Sequence, residues 1–193
     1  AVESGAGALL VQKRVNVNVP QVVVEDSKVA LGEVAAWVHK QCGTPTVAIT
    51  GSCGKTTVKE MVASILQSKG QVLFTAGNFN NDIGVPLTLL RSQPSDDYAV
   101  IELGANHIGE IAYTTQLVNP NIALVNNVAA AHLEGFGSID GGKQAKGEIY
   151  QGLPSNGVAI VNLDSQGEVM WKEVLSDKHV ITFSQNHSNA DYY

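Results

Sequence analysis

Cysteine is nearly missing from this chain: Cys42 and Cys53 are the only two among 193 residues. They stand apart without C-x-x-C spacing, which argues against a disulfide scaffold and fits a reducing cytoplasm. Aromatic residues make up only 6% and charged residues 16%, while 44% are hydrophobic, so the chain can bury a core and is not a disordered tail. It has no basic run and a net charge of −6, which speaks against a nucleic-acid partner. Asn, Gly, Lys or Glu interrupts every apolar segment before membrane length, so no membrane span is expected. The chain also opens without methionine on "AVESGAGALLV" and closes on "NHSNADYY" with no stop signal, as part of a longer polypeptide would.

What is present is a regular alternation. Apolar runs rich in Val and Ile occupy 8–11, 21–24, 46–50, 72–75, 98–103, 122–126, 158–162 and 180–183 and read as buried strands. Between them the spacing predicts helices at 56–68, 85–91, 110–117 and 142–152. Another is expected to be capped by Ser27, with Leu31, Val34, Ala35 and Val38 on its apolar face. In the 56–68 helix the apolar face is read as Val58, Met61, Val62, Ile65 and Leu66. The expected fold class is therefore α/β, a mostly parallel sheet with helices on both faces. Gly43, Thr44 and Pro45 read as a linker between residues 1–43, the end of a small α/β domain, and a larger domain over 44–193.

The stretch "VAITGSCGKTTVKEM" carries the clearest chemistry. Strict G-x-x-x-x-G-K-[ST] would need glycine where this chain has Ile49, yet "TVAIT" is a strand, "GSCG" a glycine turn and "KTTVKEMVASILQS" an amphipathic helix. There the free N–H groups and dipole of a helix N-terminus converge on an anion, a phosphate-binding arrangement. Gly51, Ser52, Cys53, Gly54, Lys55, Thr56 and Thr57 are the candidate nucleotide residues, with Lys55 on the terminal phosphates and the Thr56 hydroxyl on Mg²⁺. The bland alternative is a tight turn with an exposed lysine. Cys53 lacks a nearby histidine and reads as structural rather than as a nucleophile.

Four further stretches follow strand ends. "TAGNFNNDIGVPLTLL" is too rich in Asn, Asp and Gly for a strand interior or a helix. It reads as a loop lining a ligand crevice and entering a helix near Pro86, the alternative being a polar surface turn. "YAVIELGANHIGEI" ends an apolar strand on Glu102; a buried carboxylate there needs a cation or metal, whereas a solvent-facing one needs nothing. His107 and Glu110 are weaker candidates. "NIALVNN" runs into "VAAAHLEGFGS", where His132 is as much a packing residue as a ligand. Lys143 and Lys146, three apart on a helix, read as a solvated basic face. Asn162 and Asp164 either reach the crevice or cap a loop.

The set "TGSCGKTT", "TAGNFNNDIGVP", "VIELGANHIGEI", "NNVAAAHLEGFGS" and "AKGEIYQGL", in this order, resembles the Mur ligases of bacterial cell-wall synthesis, over Gly5 to about Phe183. The nearest likeness is to the branch joining D-alanyl-D-alanine to UDP-N-acetylmuramoyl-tripeptide. The resemblance implies a P-loop-type central ATPase domain from Thr44 onward, preceded by the end of the UDP-sugar-binding domain. It implies a cytoplasmic, monomeric enzyme that uses ATP and Mg²⁺ and forms an acyl phosphate. Catalytic residues would be Lys55, His132 and Lys146, with Asn80 and Asn81 in the substrate and nucleotide loop. Thr56, Glu102, His132 and a carbamylated Lys146 would hold metal. The rivals are another Mur-type or folylpolyglutamate-type ligase, and a nucleotide-binding switch that does no ligation.

Overall fold

The computed structural model describes residues 1–129 and 136–193. Strands β1 (Leu9–Val11) and β2 (Gln21–Val23) form a separate two-stranded parallel sheet. The remaining six strands are β3 (Thr46–Thr50), β4 (Val72–Phe74), β5 (Tyr98–Glu102), β6 (Ile122–Val125), β7 (Val158–Asn162) and β8 (His179–Phe183). They make one sheet in the order β4-β5-β3-β6-β7-β8, parallel throughout. All eight expected strands are present, with ends that differ by no more than a residue.

The helices are α1 (Ser27–Cys42), α2 (Lys55–Gln67), α3 (Gly84–Leu89), α4 (Glu110–Val118), α5 (Ile139–Gly147) and α6 (Glu168–Trp171), and a 3₁₀ turn over Glu148–Gly152 follows α5. A right-handed crossover ties the direction of movement across the sheet to the face its helix covers. From β4 to β5 and on to β6, β7 and β8 the chain always moves the same way, so α3, α4, the 148–152 turn and α6 share one face. Only β3 to β4 moves backward, and α2 is accordingly on the other face.

Alternate strand residues serve the two faces. Ala48, Ile101, Ala123, Val125 and Val161 join Ala35, Leu89, Ile111, Ile149, Tyr150 and Trp171 in the larger core. Ile49, Val100 and Leu124 meet Ala63 of α2, flanked by Val58, Val62 and Leu66, in the smaller one. Each fully buried Ile or Val in these layers contributes about 2 kcal/mol of apolar transfer free energy.

Four expectations about helices need correction. Asp26, not Ser27, caps α1: its carboxylate accepts from the N–H groups of Lys28 and Val29. The packed face of α1 carries Ala30, Gly32, Ala35 and His39, while Val34 is exposed, because α1 lies against α3 and α4 through small residues. A Cβ on Gly32 would fall on the Tyr113 hydroxyl. In α2, Met61 and Ile65 are exposed at 59% and 67%, whereas Lys59 is fully buried; the stripe facing the sheet is rotated away from the one inferred. The helix expected over 142–152 begins earlier, capped by the Ser138 hydroxyl accepting from the Gly141 N–H, and tightens to 3₁₀ after Gly147.

Candidate active site

Every strand of the large sheet points its carboxyl end to one edge, where β3, β4, β5, β6 and β7 deliver their following loops. The turn after β3 reaches Gly54, whose φ of 73° lies in the left-handed region that glycine adopts without strain. Gly54 is the N-cap of α2 and supplies no side chain. The backbone N–H groups of Lys55, Thr56 and Thr57 therefore have no acceptor among the described residues, and they could serve as the donor set of an anion site.

The donors of Ser52 and Cys53 are engaged elsewhere. The Ser52 N–H donates to the Asn127 carbonyl at 3.0 Å, and the Cys53 N–H to Asn127 Oδ1 at 2.9 Å. The Cys53 carbonyl accepts from the side-chain amides of Asn126 and Asn127, at 2.9 and 3.0 Å. Ser52 Oγ accepts from the Ala129 N–H at 2.9 Å and donates to the Ala129 carbonyl at 3.2 Å. The glycine turn is thus laced to the segment after β6. The Cys53 side chain is exposed and is held through its backbone, not by packing. Lys55 Nζ, half-buried, donates to the Gly51 carbonyl at 2.9 Å. Thr56 and Thr57 are exposed.

Beside Lys55 a cleft of about 240 Å³ is lined by Asn80, Asn81, Gly104, Asn106 and Glu110, among others. A larger hollow of about 530 Å³ lies at the opposite edge of the sheet, between the last turns of α1 and α4. None of the chemistry-bearing loops reaches that hollow, so size alone does not choose the site.

Glu102, at the end of β5, is 1% exposed, which excludes the solvent-facing alternative. Its N–H donates to Thr75 Oγ1 at 2.9 Å, and its Oε1 accepts from Asn80 Nδ2 at 2.7 Å. Oε2 is buried with no hydrogen-bond partner among the described residues. The Gly104 N–H donates to the Asn80 carbonyl at 2.8 Å, and a Cβ on Gly104 would stand 2.8 Å from Asn80 Cγ; the asparagine reaches Glu102 only because residue 104 has no side chain. Asn81 does different work, its Oδ1 accepting from the Gly84 N–H at 2.8 Å and so starting α3. A buried carboxylate oxygen without a donor is a site for a hard cation. No group of three or more His, Cys, Asp or Glu side chains clusters like a metal site among the described residues, so such an ion would need other oxygen donors.

Lys146 does not share a solvated face with Lys143. It is 3% exposed, with Nζ 4.6 Å from the centre of the Phe136 ring, while Lys143 pairs with Asp140 at 3.4 Å. Burial, and then the Lys55 cation, lower the Lys146 pKa from 10.5 to about 8. His132 lies outside the described residues. His107 and Glu110 cap each other, the Glu110 carboxylate accepting from the Asn106 and His107 N–H groups. Asn162 Nδ2 donates to the Asn126 carbonyl at 2.8 Å and ties β7 to the same edge. Asp164 caps a loop: the Gln185 N–H and the Ser184 hydroxyl hold its pKa down to about 2.

Sequence reasoning passed over Glu148. Its 5%-exposed carboxylate accepts from the Gly109 N–H at 2.7 Å and the Ala112 N–H at 3.0 Å, capping α4 from a segment far along the chain. A buried anion on a helix N-terminus gains from the dipole, and its loss strands two donors. Glu148→Ala is expected to cost roughly 2 kcal/mol of stability. A urea midpoint equal to that of the unchanged protein would remove the capping role.

A parallel α/β sheet whose glycine loop and strand-end side chains meet at its carboxyl edge is a P-loop-type nucleotide-binding fold. Comparison with known proteins narrows the class: the family profile described as Mur ligase middle domain matches residues 49–193. Over 188 residues the chain is 57% identical to the UDP-N-acetylmuramoyl-tripeptide--D-alanyl-D-alanine ligase of Escherichia coli (strain K12), covering 97% of this chain and 42% of that protein. Against the ligase of the same name from Haemophilus influenzae it is 58% identical, covering 95% and 41%. Among solved structures, MurF from Acinetobacter baumannii superposes with a TM-score of 0.91 at 40% identity, over 96% of this chain and 41% of that one. MurF ligase from Thermotoga maritima in complex with ADP gives 0.87 at 31%, over 96% and 43%. The chain belongs to the Mur ligase family. It spans about two fifths of the length of the curated relatives it matches, 42% of the Escherichia coli one. No described helix is long and apolar enough to cross a membrane.

Proposed function

We propose that this chain is the ATP-binding part of a MurF-type ligase, which joins D-alanyl-D-alanine to UDP-N-acetylmuramoyl-tripeptide. The observation that carries the reading is the buried Glu102 carboxylate, held by Asn80 with one oxygen unpartnered among the described residues, at the same sheet edge as the open N–H groups of α2. A phosphate chain with its cation needs those two features together. The name of the relatives at 57% and 58% identity supports the choice of substrates.

In this reading the Lys55, Thr56 and Thr57 N–H groups and the Lys55 ammonium hold the phosphates of ATP. The tripeptide carboxylate attacks the γ-phosphorus, ADP leaves, and an acyl phosphate forms. The amine of D-alanyl-D-alanine then attacks the acyl carbon, phosphate departs, and the amine gives up a proton. Mg²⁺ would be held by the Thr56 hydroxyl and the Glu102 oxygen, and a second Mg²⁺ by His132, with a carbamylated Lys146 as a further metal ligand; the ions would offset charge on the phosphate oxygens. Lys55 meets the charge that builds on the transferred group, and Asn80 keeps the Glu102 carboxylate turned toward the site.

Residues 1–43 belong to the end of the UDP-sugar-binding domain, and 44–193 to the central domain. The two-stranded β1–β2 sheet leaves Val22 and Val23 exposed at 60% and 48%, more apolar surface than so small a sheet sustains alone. The enzyme works as a monomer in the cytoplasm.

The test is phosphate release by the full-length protein. Release from ATP is expected only when UDP-N-acetylmuramoyl-tripeptide and D-alanyl-D-alanine are both present. Turnover with a single amino acid in place of the dipeptide would assign it to another branch, and nucleotide binding without any ligation would make it a switch.

A further inference from the structure

Lys59 plays no part in the chemistry above, yet among the described residues it is the most deeply buried cation, fully enclosed on the inner side of α2. It sits on the helix that covers the smaller core, where Val58, Val62, Val72 and Phe74 pack. Burying an ammonium costs several kcal/mol unless its donors are matched. Its carboxylate neighbour Glu60, at 2.7 Å and 55% exposed, supplies a counter-charge from the surface. The Phe74 ring lies 5.7 Å from Nζ. The remaining partner is the Thr75 carbonyl, which accepts from Nζ at 2.7 Å. A methionine there would fill the same space without the penalty, so the cation has work that packing alone does not explain.

Thr75 shows what that work is. It follows β4 and begins the loop that carries Asn80 and Asn81. Lys59 holds its carbonyl, while its hydroxyl, 0% exposed as a residue, accepts the Glu102 N–H. At the far end of the loop Asn80 returns to Glu102 Oε1. Lys59 also lies one turn along α2 from Lys55, on the helix whose first turn supplies the anion site. A single side chain therefore joins the anion-binding helix to the residue that braces the acidic strand end.

We propose that Lys59 is a positioning residue: acting through Thr75, it fixes the spacing between the phosphate-binding turn of α2 and the Glu102 carboxylate, and so sets how tightly a nucleotide-bound divalent cation is held. This inference rests on the nucleotide and metal reading of the site. The effect should fall on the metal rather than on the nucleotide, because the N–H donors of α2 do not depend on Thr75.

The experiment uses the full-length protein with ADP and Mn²⁺, free Mn²⁺ being read by electron paramagnetic resonance and metal-free ADP affinity by calorimetry in EDTA. Lys59→Met keeps the stem and removes the cation; Thr75→Val keeps the shape and removes the acceptor for the Glu102 N–H. Each is expected to weaken Mn²⁺ on the ADP complex by about tenfold, the low end for losing a residue that orients a metal ligand. Metal-free ADP affinity should stay within about threefold. The double variant should weaken Mn²⁺ little further, since both act on one tie. Wild-type Mn²⁺ affinity in Lys59→Met overturns the proposal, as does an equal loss of metal-free ADP. If Lys59→Met does not fold, wild-type Mn²⁺ affinity in Thr75→Val overturns it alone. Absence of ADP binding by the unchanged protein would instead sink the nucleotide reading.

Discussion

Lys55→Ala in the full-length protein is expected to lose about three orders of magnitude in ATP-dependent phosphate release, the scale seen when one group that meets developing charge is removed. Its fold should survive. The Lys55 ammonium is only half-buried, and among the described residues its hydrogen bond is to the Gly51 carbonyl at 2.9 Å, worth about 1 kcal/mol net. A thermal midpoint within a few degrees of the unchanged protein, together with collapsed turnover, separates a catalytic loss from misfolding. Turnover near wild type would mean that the charge on the transferred phosphoryl group is met elsewhere, and the role given to Lys55 would be wrong.

The second large effect is expected at Lys146. An amine reacts with CO₂ only when neutral, forming a carbamate and releasing a proton, and burial beside Lys55 brings the Lys146 pKa down to about 8. The group is therefore partly neutral near physiological pH, whereas an ordinary lysine is almost wholly charged. Lys146→Arg keeps a cation that cannot take up CO₂. It is expected to lower turnover by at least about a hundredfold and to abolish the carbamate signal from isotopically labelled bicarbonate. If the arginine variant keeps its activity, a positive charge is all that the position supplies.

The same shift makes a statement about stability. Between about pH 8 and 10.5 the unfolded chain holds more of this proton than the folded one, so the Lys146 contribution to stability rises with pH across that window. Below about 8 both states carry the proton and the burial penalty is felt in full. Denaturant midpoints of the unchanged protein and of Lys146→Met should differ by a constant amount below that pH and converge above it.

How much of this was legible in the sequence depended on how local the cause was. Buried parallel strands are runs of Val and Ile, and all eight could be read because nothing else in so polar an alternation has that composition. Glu102 stood out because an acid at the end of such a run has few reasons to be there. The helix faces were less legible. Reading Met61 and Ile65 as inward follows from polarity, but α2 turns another stripe to the sheet, one that includes Lys59, because a buried carbonyl, that of Thr75, offers its ammonium a partner. Ser27 and Asp26 are both good caps, and only geometry decides between neighbours. Glu148 was invisible for a different reason: its partners, Gly109 and Ala112, lie almost forty residues earlier, and no periodicity links them. Lys143 and Lys146 share a spacing but not an environment, since Phe136 and the sheet edge close over one of them only.

The lacing of the glycine turn to Asn126, Asn127 and Ala129 bears on how a ligand would be received. Loops that grip phosphate often stiffen as they close, and that loss of freedom is subtracted from affinity. Here six hydrogen bonds to Ser52 and Cys53 hold the turn through atoms other than the open N–H groups of α2. Its freedom was given up when the chain folded, so the site meets its ligand as a rigid mould.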